Sequence, residues 1–243
     1  MITLVTGSTG LLGNNVVRLL LERGETVRVL ARSESDPRPL AGLDVEVVHG
    51  DLRDAAAVRA ACAGVQAVVH SAAAVHFGWS HLEEMRAANV AGTRNVTEGA
   101  LSAGARLVHV STCDTMAPGA PGAPANEDTP GEKPPVTYVV TKRDAEQVVR
   151  EYVDRGLNTV IVNPGFLLGP WDWKPSSGRM LLEVAKRFTP AAPPGGTSFA
   201  DVRDVAAGVL AARDRGAIGR RYILAGHNES LFNAWKLFAR VSG

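Results

Sequence analysis

A tyrosine and a lysine stand four residues apart in the segment TYVVTKRDAEQVVREY, residues 137–152. On a helix, this spacing places Tyr138 and Lys142 on the same face. A free phenol has a pKa near ~10, and a neighbouring ammonium lowers that pKa, so the pair could pass a proton to or from a substrate. An ordinary amphipathic helix is the alternative interpretation, because both residue types are common.

Three glycines follow the first apolar run of the chain, in LVTGSTGLLGNN. The run before them predicts a strand and the residues after them predict a helix, which is the setting in which such glycines bind a dinucleotide. Glycine lets the backbone turn tightly and approach a pyrophosphate, while the free N–H groups at the helix N-terminus favour an anion. The residues predicted to bind the cofactor here are Gly7, Thr9, Gly10, Leu11, Leu12 and Gly13.

The residue that ends the second predicted strand indicates which cofactor is bound. An acid at this place would accept hydrogen bonds from the adenosine ribose hydroxyls. The sequence has Arg32 there, followed by Ser33. A guanidinium suits a 2′-phosphate and offers no acceptor to a 2′-hydroxyl. The predicted cofactor is therefore NADP, with NAD as the alternative if Arg32 is only a solvated surface residue.

Short β-branched runs alternate with helical patterns as far as Asn163. The runs predict strands at residues 2–6, 27–31, 45–49, 67–70, 106–110 and 159–163, and the helical patterns between them cover residues 11–23, 54–61, 82–103 and 137–155. Near-continuous hydrophobicity of the runs is typical of a parallel sheet covered on both faces. The predicted fold class is α/β, a doubly wound parallel sheet of the Rossmann type, with residues 1–163 as the dinucleotide-binding domain.

Residues 164–243, the C-terminal region, lose this alternation and predict a small, partial substrate-binding region interleaved with the sheet. Helices are predicted at residues 179–187, 202–213 and 231–241, with a short strand near 222–224. Such a region would pack at the carboxyl ends of the strands, where open α/β sheets bind ligands. The Pro- and Gly-rich segment 117–135 predicts neither helix nor strand, and a connection of this length is either mobile or a functional flap.

The composition gives no sign of a nucleic-acid or membrane partner. The formal net charge is +1, and no apolar run is long enough to span a bilayer. The chain passes directly from Met1 into ITLVTG without a leader-like segment, and its two cysteines, Cys62 and Cys113, form no disulfide or metal-ligand pattern. We expect a cytoplasmic protein with reduced thiols and a small-molecule substrate.

Two stretches carry aromatic residues that could line a substrate pocket. The first follows the fourth strand and comprises Val75, His76, Phe77 and Trp79, and the second comprises Trp171 and Trp173. No metal site is predicted at His76 and His81, because the further ligands that zinc requires are missing. Packing within the C-terminal region is the alternative for the tryptophans, since Trp is highly buried on average.

Several motifs occur in the order found in the extended short-chain dehydrogenases/reductases. Besides the glycine loop and Tyr138-x-x-x-Lys142, they are Asp51-Leu52 after the third strand, HSAAA, NVAGTRN, NPGFLLGP and FADVRDVAAG. Over nearly its whole length, the chain resembles the dihydroflavonol-reductase-like and nucleotide-sugar epimerase/dehydratase proteins of that family. The resemblance implies an NAD(P)-dependent enzyme that forms a homodimer.

The resemblance also implies a role for each matching residue. Tyr138 would be the general acid in reduction and the base in oxidation, and Lys142 would also bind the nicotinamide ribose. Thr112 stands where the family usually has a serine that orients the substrate oxygen, with Ser111 as the alternative, since successive strand residues face opposite ways. Asn89 would be a structural asparagine, with a water relay as its secondary role. Three further groups of residues would contact the cofactor. Asp51 and Leu52 would flank its adenine, and Pro164 would lie at its nicotinamide. Ser71, Ala72 and Ala73 would lie beneath the cofactor.

These predictions lead to an NADP-dependent oxidoreductase that transfers a hydride between the nicotinamide and a ketone or secondary alcohol. A nucleotide-sugar epimerase or dehydratase with tightly bound NAD is the alternative, with Lys174 and Arg179 as candidate cations for a diphosphate. A non-catalytic dinucleotide-binding protein is the third hypothesis. The chain ends inside a predicted helix, short of the family's usual length, so the resemblance implies a shortened substrate-binding region.

Overall fold

The computed structural model of the protein describes residues 1–76, 78–120, 122–132, 136–175, 177–186 and 191–242. Its strands are β1 (Ile2–Thr6), β2 (Thr26–Ala31), β3 (Val45–His49), β4 (Ala67–His70), β5 (Arg106–Val110), β6 (Thr159–Pro164), β7 (Phe166–Leu168), β8 (Gly196–Asp201), β9 (Arg221–Leu224) and β10 (His227–Ser230). Within the described residues, a seven-stranded parallel sheet, the main sheet, has the order β3-β2-β1-β4-β5-β6-β9. The predicted Rossmann-type sheet is confirmed.

Helices cover both faces of the main sheet and also form part of the C-terminal region. They are α1 (Leu11–Glu22), α2 (Ala55–Cys62), α3 (Leu82–Met85), α4 (Gly92–Ala103), α5 (Thr137–Val153), α6 (Gly178–Lys186), α7 (Val202–Arg215) and α8 (Leu231–Ser242). One core joins Val5 of β1 to Val209 of α7, and the other joins Leu4 of β1 to Val96 of α4 and Val148 of α5. Successive strand residues face opposite ways, so an uninterrupted apolar strand supplies both cores. Among the described helices, none combines the length and the apolar character needed to cross a membrane.

The long helix predicted at residues 82–103 is interrupted. Its first turn is α3, a π-helical stretch follows at Arg86–Ala91, and α4 completes it. The prediction of one regular helix was wrong in this respect. A wide turn inserts about one residue and leaves the apolar pattern on either side recognisable, so the sequence does not reveal it.

A second sheet, which the sequence did not predict, has the order β10-β8-β7. In it β8 pairs with β7 in parallel and with β10 antiparallel. Nearly all of its residues are half-buried or exposed, so these strands lack the continuous apolar run that marks the main sheet. The helices predicted in the C-terminal region are confirmed as α6, α7 and α8, and the predicted strand as β9, although Arg187 lies outside the described residues.

The segment 117–135 has neither helix nor strand in the part that the structure describes, which excludes residues 121 and 133–135. The Arg221 guanidinium of β9 donates to the carbonyl oxygens of Glu127 and Thr129. The backbone N–H of Ile223 donates to the Glu127 carboxylate at 3.0 Å. The middle of the segment is therefore fixed to β9, the outermost strand on one side of the main sheet.

Candidate functional site

The candidate site lies where the main-sheet strands end, which we call the carboxyl edge. The strand order reverses direction between β1 and β4, and open α/β sheets bind ligands outside the strand ends at such a point. Gly7 follows β1, Ser71 follows β4 and Ser111 follows β5. Because these strands are parallel neighbours, the fold brings the residues after them together.

The turn after β1 has no room for side chains at two of its glycines. Gly7 has a φ of +72°, and a Cβ on it would lie 2.6 Å from the backbone nitrogen of Ala72. A Cβ on Gly13 would collide with the Gly7 carbonyl oxygen. The N–H of Gly10 donates to that same oxygen at 3.0 Å, and α1 begins after Gly10 without a side-chain cap. The tight turn therefore ends in uncapped helix N–H groups, the arrangement that binds a pyrophosphate.

Ser8 is a further sign of a ligand at this turn. Its side chain is buried, and its Oγ has no hydrogen-bond partner among the described residues. A buried polar group without a partner costs free energy, which an oxygen of a bound phosphate would recover. Thr9, Leu11 and Leu12 lie in the same turn and first helical residues.

Two asparagines that the sequence analysis did not single out brace this turn. Asn14 donates to the carbonyl oxygens of Ser8 at 3.1 Å and Pro39 at 2.8 Å. Asn15 donates to the carbonyl oxygen of Pro170 at 2.9 Å, which links α1 to the C-terminal region. The available signal was the pair of amides in the apolar run LLGNNVV, since buried amides must find partners.

Arg32 lies at the end of β2, and 59% of its side chain is exposed. Its Nε is 3.5 Å from a carboxylate oxygen of Glu34. At the end of the neighbouring β3, Arg53 Nε lies 2.8 Å from Asp51, and this hydrogen bond, with a contribution from Arg32, lowers the pKa of Asp51 to about 2. Two arginines, of which the sequence analysis named only Arg32, therefore stand at adjacent strand ends.

Asn89 holds the loop after β4 against the helices. Its Oδ1 accepts the N–H of Ala74 at 2.7 Å, and its Nδ2 donates to the Ala74 carbonyl at 2.9 Å and to Thr141 Oγ1 at 3.0 Å. Both amide hydrogens are thus used within the protein. The loop held in this way contains Ala72, which packs on Gly7, so Asn89 acts indirectly on the glycine turn.

A buried hydrogen-bond chain runs beneath this loop. Thr6 Oγ1 lies 2.7 Å from His70 Nδ1, and His70 Nε2 lies 3.0 Å from Thr93 Oγ1. The Thr93 hydroxyl donates its hydrogen to the Asn89 carbonyl, so it accepts from His70, whose Nδ1 must then accept from Thr6. Burial, and secondarily the charge of Lys142, lowers the pKa of His70 to about 3. The imidazole is therefore neutral and structural.

Both candidate hydroxyls after β5 are buried, but their surroundings differ. Thr112 Oγ1 donates to a carboxylate oxygen of Asp114 at 2.9 Å, and the N–H of Asp114 donates to Thr112 Oγ1 at 3.3 Å. Ser111 Oγ has no partner among the described residues. The assignment of Thr112 rather than Ser111 to the substrate oxygen stays a prediction, and Asp114 is a polar neighbour that the sequence analysis did not name.

Asn163 and Glu146 form a buried hydrogen-bond network next to Thr112. Asn163 Nδ2 donates to the Thr112 carbonyl at 2.9 Å and to Glu146 Oε1 at 2.8 Å. Thr115 Oγ1 also donates to Glu146 Oε1, at 3.0 Å. Glu146 is buried one turn after Lys142 on α5, and a buried acid in a predicted helix was the signal that the sequence offered.

Tyr138 and Lys142 lie one turn apart on α5 as predicted, but their electrostatics differ from the expectation. Lys142 is buried, and its Nζ donates to the Val110 carbonyl at the end of β5 at 2.6 Å. Burial lowers the pKa of Lys142 to about 8, and Glu146 opposes this.

The pKa of the half-buried Tyr138 is raised, first by burial and then by the negative charge of Asp114. The expectation that Lys142 lowers this pKa was wrong, because desolvation penalises the phenolate and the nearby carboxylate is negative.

The predicted pocket wall is partly exposed. Val75 and Trp79 are 50% and 62% exposed, whereas Phe77 lies outside the described residues. Trp171 and Trp173 stack at 6.2 Å between ring centroids, and the Arg18 guanidinium of α1 lies 3.5 Å from the Trp171 ring centroid. A substrate cleft between the two stretches stays a prediction. In the part of the chain that the structure describes, no group of three or more His, Cys, Asp or Glu side chains could hold a metal ion.

Comparison with known proteins identifies the family. A sequence model described as the NAD dependent epimerase/dehydratase family matches residues 3–225. This chain belongs to that family. It is 42% identical over 231 residues to sterol demethylase protein B of Methylococcus capsulatus, covering 94% of this chain and 70% of the relative. It is 40% identical over 247 residues to a putative dihydroflavonol 4-reductase of Synechocystis sp., covering 98% and 72%.

Solved structures agree with this assignment. The crystal structure of gox2253 has a TM-score of 0.93 at 38% identity and covers all of this chain, which spans 75% of that structure. A nucleoside-diphosphate-sugar epimerase from Pseudomonas aeruginosa has a TM-score of 0.87 at 27% identity. The match covers 100% of this chain and 78% of the epimerase chain. The protein is thus an NAD(P)-dependent enzyme of the extended short-chain dehydrogenase/reductase type.

Proposed function

We propose that this family member is an NADP-dependent oxidoreductase that transfers a hydride between the nicotinamide and a ketone or secondary alcohol. The observation that supports the proposal is that Lys142 and Thr112 lie at the end of β5, with Tyr138 one turn before Lys142 on α5, at the same edge of the main sheet as the glycine turn that follows β1. The Lys142 bond to Val110 and the effect of Asp114 on Tyr138 tie α5 to this edge.

The residues present fit a dinucleotide. Gly7 and Gly13 place no side chain between the backbone and a ligand, and α1 starts without a side-chain cap. The buried Ser8 hydroxyl has no hydrogen-bond partner among the described residues. Ser71, Ala72 and Ala73 would lie beneath the cofactor, Asp51 and Leu52 beside its adenine, and Pro164 at its nicotinamide. When bound, the cofactor supplies or accepts the hydride.

NADP is favoured over NAD by the cations at the ends of β2 and β3. Arg32 and Arg53 are both largely exposed and carry planar guanidinium groups, which bind phosphate through paired hydrogen bonds. Glu34 and Asp51 neutralise them in part. We expect the 2′-phosphate to draw Arg32 away from Glu34, because their separation of 3.5 Å is long for an ion pair.

Tyr138 is suited to proton donation. Because its pKa is raised, the phenol keeps its proton across neutral pH and can give it to a carbonyl oxygen that receives a hydride. Reduction is the direction in which Tyr138 would act as this proton donor. Relatives that are named as reductases also support reduction. One is a 4-hydroxy-2-methyl-3-oxo-4-farnesyl-3,4-dihydroquinoline-1-oxide ketoreductase of Stigmatella aurantiaca. It is 35% identical over 227 residues, and the match covers 91% of this chain and 67% of that relative.

Calorimetric binding of NADPH and NADH tests the cofactor assignment. We expect NADPH to bind at least on the order of tenfold more tightly, and Arg32→Ala to remove most of this preference. Arg240→Ala, at an exposed position on α8, is the matched control and should retain it. Equal affinities for the two cofactors in the unaltered protein would contradict the proposal.

An epimerase or dehydratase that retains NAD is the second candidate. It is favoured by the likeness to a UDP-glucose 4-epimerase from Thermus thermophilus in complex with NAD, with a TM-score of 0.86 at 25% identity, covering 100% of this chain and 84% of that one. Lys174 and Arg179, both exposed, would be its diphosphate cations. Stoichiometric NAD in the purified protein, released only on unfolding, would favour this candidate over a reductase.

A further inference from the structure

The first turn of α5 has no cap of its own. Val136, the residue before it, makes no side-chain hydrogen bond to the helix, and the first N–H groups of a helix have no partner within it. The Gly78 carbonyl serves as one, because it accepts the backbone N–H of Thr137 at 3.0 Å and the Thr137 hydroxyl at 2.8 Å. Thr137 is fully buried and directly precedes Tyr138. The loop after β4 therefore caps α5 at the residue next to the phenol.

The hydroxyl of Thr137 has one good acceptor. Its Oγ1 also lies 3.5 Å from the His76 carbonyl and 3.4 Å from Met85 Sδ. A threonine hydroxyl carries a single hydrogen, and the Gly78 carbonyl is the nearest of the three acceptors. Both donors of Thr137 thus meet the same oxygen, which restricts the direction of this contact as well as its length.

Gly78 has a backbone conformation that favours glycine. Its φ is +147°, a value that L side chains rarely adopt. Space alone would admit a side chain, since a Cβ on Gly78 would meet only the His76 ring, at 3.4 Å from Nε2. Backbone conformation therefore selects glycine at the residue whose carbonyl oxygen faces α5.

The same loop is bonded to α5 at a second place. Asn89 binds both the N–H and the carbonyl of Ala74 and donates to Thr141 Oγ1, and Thr141 directly precedes Lys142. Thr137 and Thr141 are four residues apart and share a helix face. The loop thus meets α5 at the residue before the phenol directly, and at the residue before the ammonium through Asn89.

We propose that Thr137 is a positioning residue, which fixes the Tyr138 phenol relative to the loop after β4 through its two hydrogen bonds to Gly78. The inference rests on the proposed function, because the position of the phenol matters only for a group that transfers a proton. Thr137 lies outside the Tyr138-x-x-x-Lys142 motif and is given no contact with cofactor or ketone. A displacement of about 1 Å at a reacting group can cost up to about a hundredfold in rate.

General stabilisation of α5 is the competing role for Thr137. A helix that loses a cap and merely becomes less stable would affect Tyr152, near its other end, as well as Tyr138. A positioning role predicts a change at Tyr138 alone. The three tyrosines of the chain, Tyr138, Tyr152 and Tyr222, can therefore separate the two roles.

Fluorine NMR of protein that carries 3-fluorotyrosine at these three positions reads the phenol directly, without and with saturating NADP+. We expect Thr137→Val, which removes the hydroxyl bond and keeps the N–H bond, to displace the Tyr138 resonance by more than its line width. The resonances of Tyr152 and Tyr222 should stay in place. Thr137→Ser keeps the hydroxyl and should give the spectrum of the unaltered protein.

Gly78→Ala tests the other half of the contact and should also displace the Tyr138 resonance, because alanine disfavours the φ of +147°. Two matched controls should leave that resonance in place. Gly64→Ala introduces the same strain at φ +73° after α2. Thr97→Val removes a buried hydroxyl on α4 that donates to the Thr93 carbonyl at 2.7 Å.

Kinetics supply the second readout, with NADPH and 2,3-butanedione as the ketone. In Thr137→Val we expect kcat to fall on the order of tenfold, while KM for NADPH is unchanged. Thr137→Ser should restore kcat. Thermal unfolding midpoints identify any variant that fails to fold, and if Thr137→Val is one of them, the spectrum of Gly78→Ala decides.

A Tyr138 resonance that stays in place in either Thr137→Val or Gly78→Ala would overturn the inference. Equal displacement of Tyr138 and Tyr152, or displacement of Tyr138 in Thr97→Val, would also overturn it, because either result indicates general loosening. Failure of the unaltered protein to bind NADPH would overturn the proposed function instead, and the fluorine spectra without cofactor would still decide the role of Thr137.

Discussion

The two edges of the main sheet use the same residue type for different purposes. At the opposite edge, which we call the amino edge, Gly24, Gly64, Gly104 and Gly156 end helices with φ values of +71°, +73°, +63° and +90°, and a Cβ on any of them would meet nothing within 4 Å. At the carboxyl edge, Gly7 has the same backbone sign but touches Ala72. Positive φ thus explains glycine at the amino edge, whereas close approach of two backbones explains it at the carboxyl edge.

Buried polar side chains lie at both edges but differ in kind. At the carboxyl edge, Thr6, His70, Thr93 and Asn89 form a continuous chain of neutral groups. At the amino edge, the buried Arg213 guanidinium donates to Glu25 and to Thr3 Oγ1, and Asn158 meets Arg106 at 2.7 Å in an exposed contact. Matched substitutions at the two edges can break or sharpen this distinction.

Two tyrosines on α5 give the largest expected contrast. Tyr138→Phe should lower ketone turnover by about 10²–10⁴-fold, because the proton donor is lost, while NADPH binding and unfolding change little. Tyr152, near the amino edge, donates to Glu98 at 2.6 Å, and Tyr152→Phe should cost about 1 kcal/mol of stability and leave turnover intact. Steady-state kinetics and urea unfolding of both variants check this. Unchanged turnover in Tyr138→Phe would contradict the proposed acid.

Two glycines with nearly equal φ come next. Gly7→Ala and Gly24→Ala face the same backbone strain, at +72° and +71°, which costs about 1–2 kcal/mol. Only the first adds a collision with Ala72, so we expect Gly7→Ala to weaken NADPH binding on the order of a hundredfold and Gly24→Ala to leave it unchanged. If both variants bound NADPH equally well, the distinction between the two edges would fail.

Two asparagines test the polar layer. Asn89→Ala removes three hydrogen bonds and leaves the Ala74 N–H buried without its acceptor, so we expect a loss of about 2–3 kcal/mol in the free energy of unfolding. Asn158→Ala removes one exposed contact and should cost no more than about 0.5 kcal/mol. Urea unfolding compares the two, and equal losses would show that the buried chain contributes nothing special.

The sequence predicted the central strands of the main sheet, β1, β4, β5 and β6, because each is an apolar run buried on both faces, as Val5 and Leu4 of β1 illustrate. It missed β7, β8 and β10, whose residues are too exposed to carry an apolar signal. The strand ends located the glycine turn and Thr112, and the helical spacing to Lys142 located Tyr138. Which side chains meet there depends on strand neighbours far apart in sequence, such as Thr6 and His70, 64 residues apart. The partners Asp114 and Glu146, and the direction of the Tyr138 pKa, follow from burial that the sequence does not display.

The smallest predicted effect concerns pH and uses Lys142. Burial lowers its pKa to about 8, whereas lysine in an unfolded chain titrates near ~10.4. Between these values the unfolded chain binds a proton that the folded protein does not, so stability rises with pH through this window and is lost again as pH falls. From about pH 8 to about pH 9.5 Lys142 alone contributes a gain of about 1–2 kcal/mol. Cys62 and Cys113 oppose this gain in the same window, because burial raises their pKa values to about 11 and about 12 while unfolded thiols ionise near ~8.5.

Tyr138 acts in the opposite direction at higher pH, and the two cysteines do so within the window, so the contribution of Lys142 is measured as a difference between variants. Because its pKa is raised, the folded protein keeps a proton that the unfolded chain loses above about pH 10, so stability then falls. Between about pH 8 and pH 9.5, urea unfolding of Lys142→Met should lose about 1–2 kcal/mol of stability relative to the unaltered protein, whereas Lys186→Met, at an exposed position on α6, should follow the unaltered protein. An identical pH dependence in both variants would mean that Lys142 is not desolvated at the carboxyl edge.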